Sequence, residues 1–324
     1  MEAILKQLPQ QLVNGITLGS VYALIALGYS MVYGILQLLN FAHGEVYMIG
    51  AFIGWGVFAL LVPQETLFLP AVVIILLMLV LAMLSCGFLG IIIEWFAYRP
   101  LREAPRIAPL ISALGVSFFL QNAVLLTMSA RYRTYRTGLL IPRTWRVSAF
   151  GATISMTKVL VIVVALLLMV GLHYLVQRTR LGKAMRATAQ DREAAAMMGI
   201  DVDQIIVVTF FIGSALGGAA GVLVGLLFTQ AYHFMGFTAG LKGFTAAVFG
   251  GIGNIPGAML GGLLLGLIES IGGGFISPTY KDLIAFSLLI LILVFRPRGL
   301  LGPRPHRRYE LTAKLRLKPT SVSF

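Results

Sequence analysis

Leu12-Val13-Asn14-Gly15-Ile16-Thr17-Leu18-Gly19-Ser20-Val21-Tyr22-Ala23-Leu24-Ile25-Ala26-Leu27-Gly28-Tyr29-Ser30-Met31-Val32-Tyr33-Gly34-Ile35-Leu36 contains no Asp, Glu, Lys or Arg from end to end. A helix needs about 20 apolar residues to cross the hydrocarbon core of a bilayer, so this stretch reads as a membrane span. Working outward, further apolar runs cover about 40–62, 67–97, 107–129, 156–176, 205–229 and 282–295. The Gly-rich stretch 237–276 is too long for one span and contains Pro256, which predicts two short helices or a re-entrant pair. The expected fold is all-α, a polytopic integral membrane protein with about eight or nine membrane segments. Composition agrees. Of 324 residues, 58% are hydrophobic and 11% charged, against roughly 45–50% and about 25% in soluble domains. That excludes a soluble globular domain and a disordered chain. Lys6 is the only basic residue before the first run, which is too long for a signal-peptide core, so it is expected to stay as a span.

The formal charge of +13 would point to nucleic acid in a soluble protein. Here the basic residues lie between apolar runs, where they set topology and contact anionic lipid, so no nucleic-acid partner is expected. Arg99, Arg102 and Arg106, the charged segment 177–204, and the tail beginning Arg296 and Arg298 are expected on the cytoplasmic side. Parity then puts the N-terminus outside and requires an even number of crossings between 204 and 296. The stretch 130–155 falls outside despite Arg131, Arg133, Arg136, Arg143 and Arg146, a conflict left standing at this level. The domain division is a permease domain over 1–303 and a basic cytoplasmic tail over 304–324.

No phosphate-binding loop, dinucleotide fingerprint, paired cysteines or nucleophile elbow occurs, and no catalytic or metal site is expected. Four patterns remain. Gly213, Gly217, Gly221 and Gly225 recur every four residues, and Gly257/Gly261 and Gly262/Gly266 repeat that spacing. Such faces let helix backbones approach closely, for tight packing, for rocking during transport, or both. Asn40, His43, Gly44 and Tyr47 fall on one helix face, with Glu45 well off it. That polar face serves either as glue between helices or as part of a translocation pathway. Tyr22 and Tyr29 share a face with Ala26 and Tyr33, suited to a pathway for a small amphipathic solute or to packing. Finally, the Ala-rich segment 177–201 mixes acids and bases and ends at Gly199, as expected of a short surface helix that docks on a partner or lies solvated.

Residues 14–29, Tyr33-Gly34-Ile35, Asn40-Phe41-Ala42-His43-Gly44-Glu45 and the stretch 241–258 (Leu241-Lys242-Gly243-Phe244 to Asn254-Ile255-Pro256-Gly257-Ala258) closely resemble the branched-chain amino acid permeases of ABC importers, LivH type. Within the charged segment, Glu193-Ala194-Ala195 followed by Gly199 resembles the E-A-A-x-x-x-G core with which such permeases contact their ATPases. No Leu-Pro follows, unlike the fuller pattern. The resemblance covers about 8–300. It implies a bacterial inner-membrane subunit with a cytoplasmic C-terminus. It also implies a second, related permease subunit, two cytoplasmic ATP-binding subunits and an extracytoplasmic solute-binding protein as partners. ATP would be bound by those subunits, with no cofactor in this chain. Relatives of the family carry other amino acids, urea or short amides, so the solute stays open here. An ion-coupled transporter using Glu45, Glu94 or Glu269 is the other reading.

Overall fold

The computed structural model describes residues 2–302 apart from 64–66, 68, 106, 143 and 150. The basic tail 304–324, Arg106 and Arg143 lie outside the described residues. Twelve α-helices carry the described chain: α1 (Glu2–Leu36), α2 (His43–Leu61), α3 (Ala71–Ile93), α4 (Ile107–Met128), α5 (Thr137–Leu140), α6 (Met156–Arg178), α7 (Arg180–Gln190), α8 (Arg192–Met197), α9 (Val202–Phe228), α10 (Met235–Gly250), α11 (Ile255–Phe275) and α12 (Lys281–Phe295). Eight of these segments are long and apolar enough to span a membrane. The chain is therefore a multi-pass, all-α membrane protein. Two small antiparallel pairs, β1 (Arg133–Thr134) with β4 (Gln230–Ala231) and β2 (Arg146–Ala149) with β3 (Ala152–Ser155), decorate one end.

Helices α1 and α9 form the centre. Their apolar windows are 89% and 78% buried, whereas those of α4 and α12 are 17% and 6% buried and face outward. The apolar side chains left outside, such as Leu126, Phe119, Leu167 and Val294, lie on the peripheral helices, as expected where lipid replaces water.

The bundle has two distinct ends. At one, Thr153 donates its N–H to Gln10, Ser270 donates to the Gln11 carbonyl, and Tyr135 donates its N–H to Thr229. At the other lie the C-terminal ends of α1, α3 and α6, together with α7, α8 and the 296–302 segment. There Arg192 donates to the Ile35 carbonyl at 2.7 Å, and Leu300 and Leu301 donate to Phe249 and Gly250.

Helix α10 settles the path of the Gly-rich stretch. Its 16 residues reach only about 24 Å, yet it runs from the β4 end to the 296–302 end. The chain from 202 to 295 thus makes four passages (α9 to α12) rather than two spans and a re-entrant pair. The start of α1 and the end of α12 fall at opposite ends. The α10–α11 turn needs left-handed backbone at Gly251 (φ 111°) and Gly253 (φ 86°). Asn254 then caps α11 by accepting from the Gly257 N–H, and Pro256 sits in the first helical turn, where its missing N–H costs nothing.

The basic stretch 130–155 is partly absorbed by the protein. Arg133 lies 4.9 Å over the Trp55 ring and donates to the Met128 carbonyl. Its charge is thus held in local contacts at that end.

Candidate functional site

The α10–α11 hairpin places two intramembrane charges face to face. Gly250, Gly257 and Gly261 let the two backbones nearly touch; a Cβ at Gly261 would lie 2.1 Å from the Ala246 carbonyl oxygen. Lys242 on α10 then meets Glu269 on α11, with Nζ 2.9 Å from Oε1. Both are buried, with 7% and 2% of their surfaces exposed. Tyr22 on α1 donates its hydroxyl to the other Glu269 oxygen at 3.0 Å. Lys242 also lies 2.7 Å from Asp282 at the start of α12, and that carboxylate is 58% exposed. One ammonium therefore ties three helices together at the β4 end of the bundle.

A cavity of about 280 Å³ opens beside this network. Tyr22, Tyr47, Gln230, Tyr232, Thr238, Lys242, Glu269 and Lys281 supply its polar groups, and residues such as Leu18, Val21, Val224 and Met235 an apolar side. A second cavity, about 500 Å³, shares Leu18, Phe228 and Lys281 with it and reaches Gln11, Asn14 and Lys158. Lys158 donates to Asn14 at 2.6 Å.

The five pathway candidates divide. Tyr22 and Tyr47 line the smaller cavity. Asn40, His43 and Tyr29 do not; they lie in close helix packing. The His43 ring sits edge-on to Tyr29 at 4.9 Å between centroids. It fills a slot opened by glycines: a Cβ at Gly28 would meet its Nε2 at 2.1 Å and one at Gly217 its Cε1 at 3.2 Å. Asn40 shapes the start of α2, accepting from the Ala42 N–H at 3.1 Å beside the Tyr98 hydroxyl. The polar face of α2 is thus continuous in sequence and split in space. Glu45 accepts from Ser117 of α4 at 3.3 Å and abuts Gly236 of α10.

The glycine stripe of α9 has a distinct neighbour at each step. Gly213 faces the Gly28 backbone, Gly217 the His43 ring, Gly221 the Tyr47 carbonyl and Ala51 N–H, and Gly225 the Tyr135 ring. Tyr135, outside the spans, donates to the Ala51 carbonyl. Burial pushes its hydroxyl far above the ordinary range, so it stays a neutral donor. Gly262 and Gly266 face α1 at Ala23 and Gly19.

At the other end, the charged segment forms two helices where one was expected. Thr179 caps α7 by accepting from Gly182. Asp191 breaks the run and caps α8 by accepting from the Ala194 N–H at 3.0 Å. Helix α8 closes on Gly199 at φ 82°, with Gly199 N–H on the Ala196 carbonyl and Ile200 N–H on the Ala195 carbonyl. Those paired bonds define the left-handed Schellman stop. Ala195 packs inward at 4% exposure, Ala194 is half-buried, and Glu193 is exposed. Met197 and Met198 are each 82% exposed, an apolar knob on an otherwise polar end. Arg192 is anchored on α1; burial first, and the Arg102 charge second, lower its pKa. Next to it, Arg102 bridges the fully buried Glu94 and Asp203 of α9, and Arg99 lies 3.3 Å from the same Asp203. A π-helical turn, Glu94–Tyr98, directs Glu94 inward.

Sequence reasoning missed Lys242 as a site residue. The available signal was an isolated Lys and an isolated Glu, 27 residues apart, both in apolar segments. Among the described residues, no three His, Cys, Asp or Glu side chains gather to hold a metal ion.

Residues 11–293 match the family model described as branched-chain amino acid transport system, permease component. The chain is 48% identical over 296 residues to the high-affinity branched-chain amino acid transport system permease protein BraD of Pseudomonas aeruginosa, covering 90% of this chain and 95% of that protein. It is 44% identical over 307 residues to the permease protein LivH of the corresponding system in Escherichia coli, with the same coverage, 90% and 95%.

Proposed function

Because the chain belongs to the permease family of branched-chain amino acid transport systems, we propose that it forms half of the translocation pathway of an ATP-driven importer for these amino acids. The relatives' names supply the solute class. The proposal sets the chain in a bacterial inner membrane, with its C-terminus and α7–α8 in the cytoplasm. A second permease subunit would complete the pathway, two ATP-binding subunits would dock from the cytoplasm, and an extracytoplasmic binding protein would deliver solute. The permease itself would perform no bond chemistry and carry no cofactor.

The observation that carries this reading is the α7–α8 unit. Glu193 and the Met197/Met198 knob project from a capped helix fixed to α1 through Arg192 and joined to α9 by the short turn from Gly199 to the Asp201 cap. A push on α8 is thereby transmitted to the central helices. The ion-coupled alternative has less support. It needs a free intramembrane acid; Glu94 and Glu269 are each paired with a cation, which leaves Glu45, hydrogen-bonded to Ser117, as its single candidate among the described residues.

The test uses the assembled complex. At Gly199 no atom would meet a Cβ, so Gly199→Val acts only through backbone strain, about 1 kcal/mol or more. We expect Gly199→Val and Glu193→Lys to leave insertion intact while ATPase docking, stimulated hydrolysis and uptake fall together. Coupled uptake at the wild-type rate in both variants would remove α8 from the coupling path.

A further inference from the structure

We propose that the cavity bounded by Tyr22, Tyr47, Lys242 and Glu269 is a transit site for a zwitterionic α-amino acid with an apolar side chain, Lys242 taking its carboxylate and Glu269 its ammonium. The inference rests on the permease reading above and adds where, and by which groups, this chain holds its solute.

Three observations carry it. First, the ion pair is an expensive way to staple helices. Two charges removed from water seldom recover their desolvation cost, and apolar residues of similar volume often serve as well or better. Here α10 and α11 are already joined by backbone contact through Gly250, Gly257 and Gly261, so packing does not require the pair.

Second, the pair sits on a cavity wall and has alternative partners at hand. Lys242 keeps Asp282 at 2.7 Å and Glu269 keeps the Tyr22 hydroxyl at 3.0 Å when their mutual bond is opened. A solute bearing one positive and one negative group can insert between them without adding net charge to the buried site. A cation or an anion leaves one wall charge without a counter-charge, and a neutral amide meets the two with hydrogen bonds that carry no ligand charge and are weaker than those of a zwitterion. The charge pattern therefore favours zwitterions over urea and short amides.

Third, one side of the remaining wall is apolar and the space small. Leu18, Val21, Val224 and Met235 face a volume of about 280 Å³, just under the roughly 300 Å³ at which drug-sized ligand pockets begin. An aliphatic side chain fits that side of the cavity, where a polar group pressed against it would lose hydrogen bonds to water. The adjoining cavity of about 500 Å³ shares Lys281 with the site and supplies an approach from the β4 end.

The experiment uses the complete transporter in lipid nanodiscs and a diazirine analogue of leucine as photoprobe. Labelled peptides are mapped by mass spectrometry, with leucine, leucinamide (no carboxylate) and 4-methylpentanoate (no ammonium) as competitors. We expect labelling on the segments of α1, α2, α9, α10 or α11 that line the cavity. Leucine should compete at least about tenfold better than either truncated compound, as loss of one charge-assisted bond implies. Lys242→Met and Glu269→Gln should each lower labelling by a similar factor. The competition series needs only the wild-type protein, so a variant that fails to assemble does not blunt the test. Equal competition by leucinamide and leucine, or labelling confined to other helices, overturns the proposal. ATP-driven leucine uptake measured in the same preparation separates the two readings. If uptake is present and the cavity unlabelled, the transit site fails alone; if uptake is absent, the permease reading fails with it.

Discussion

Replacing Gly221 with Ala adds one methyl group at the crossing of α9 and α2. The new Cβ would lie 2.1 Å from the Tyr47 carbonyl oxygen and 2.7 Å from the Ala51 nitrogen. A carbon–oxygen contact relaxes only near about 3.3 Å, so the helices must part by roughly 1 Å. Both obstructing atoms are backbone, and no rotamer change relieves the clash. A gap of that size forfeits about a quarter to a half of each dispersion contact along the seam. Gly218 and Gly50 lie in the same seam and would lose contact as well. We therefore expect a cost at the upper end of the overpacking range, about 3 kcal/mol, or roughly a hundredfold in the folded-to-unfolded ratio. Gly56→Ala is the internal control. It lies on α2 with no atom within 4 Å of its Cβ position, and Ala is the better helix former by about 1 kcal/mol. Reversible unfolding in mixed detergent micelles measures both. If Gly221→Ala unfolds at the same denaturant fraction as Gly56→Ala, the stripe is not a close-packing seam and the reasoning fails.

Three further expectations are smaller in scope. Arg102→Met strands the buried Glu94 carboxylate and should cost about 3–5 kcal/mol; Glu94→Gln in the same chain should recover much of it, and equal stability of single and double variants would contradict the pairing. Tyr135→Phe removes the donor to the Ala51 carbonyl and should cost about 1 kcal/mol, whereas Tyr135→Ala also empties the space beside Gly225 and should cost about 3–5 kcal/mol; a calorimetric or detergent melt ranks the two. Asp191→Ala removes the α8 cap, worth about 1 kcal/mol, and should loosen ATPase docking without lowering permease yield; unchanged affinity for the ATPase would show that α8 holds its shape without it.

The spans were legible because the relevant signal is local. The apolar runs near 107–129 and 156–176 became α4 and α6 almost residue for residue. The Gly pattern of α9 announced a contact face, but the partners of that face belong to distant segments. Nothing in the sequence says that Gly221 meets Tyr47 while Gly225 meets Tyr135. The α2 face stayed ambiguous for the same reason. Helical periodicity groups Asn40, His43 and Tyr47, but Gly28 and Gly217 admit the imidazole into the packing and exclude it from the cavity. Lys242 was hidden because its counter-charge, Glu269, lies on the next helix and comes opposite only through the Gly251–Asn254 turn. The break at Asp191 was written in the sequence as an N-cap residue ahead of Glu193-Ala194-Ala195, but the Ala-rich composition on both sides favoured one continuous helix.

The central claim is that this chain moves a branched-chain amino acid with energy from ATP bound elsewhere. The direct measurement is leucine uptake into proteoliposomes containing the permease, a related permease subunit, the ATPases and the binding protein, with ATP and ion gradients varied independently. The account predicts uptake that requires hydrolysable ATP, persists when proton and sodium gradients are collapsed, and ceases when the ATPases are omitted. Uptake driven by an ion gradient without ATP would contradict it.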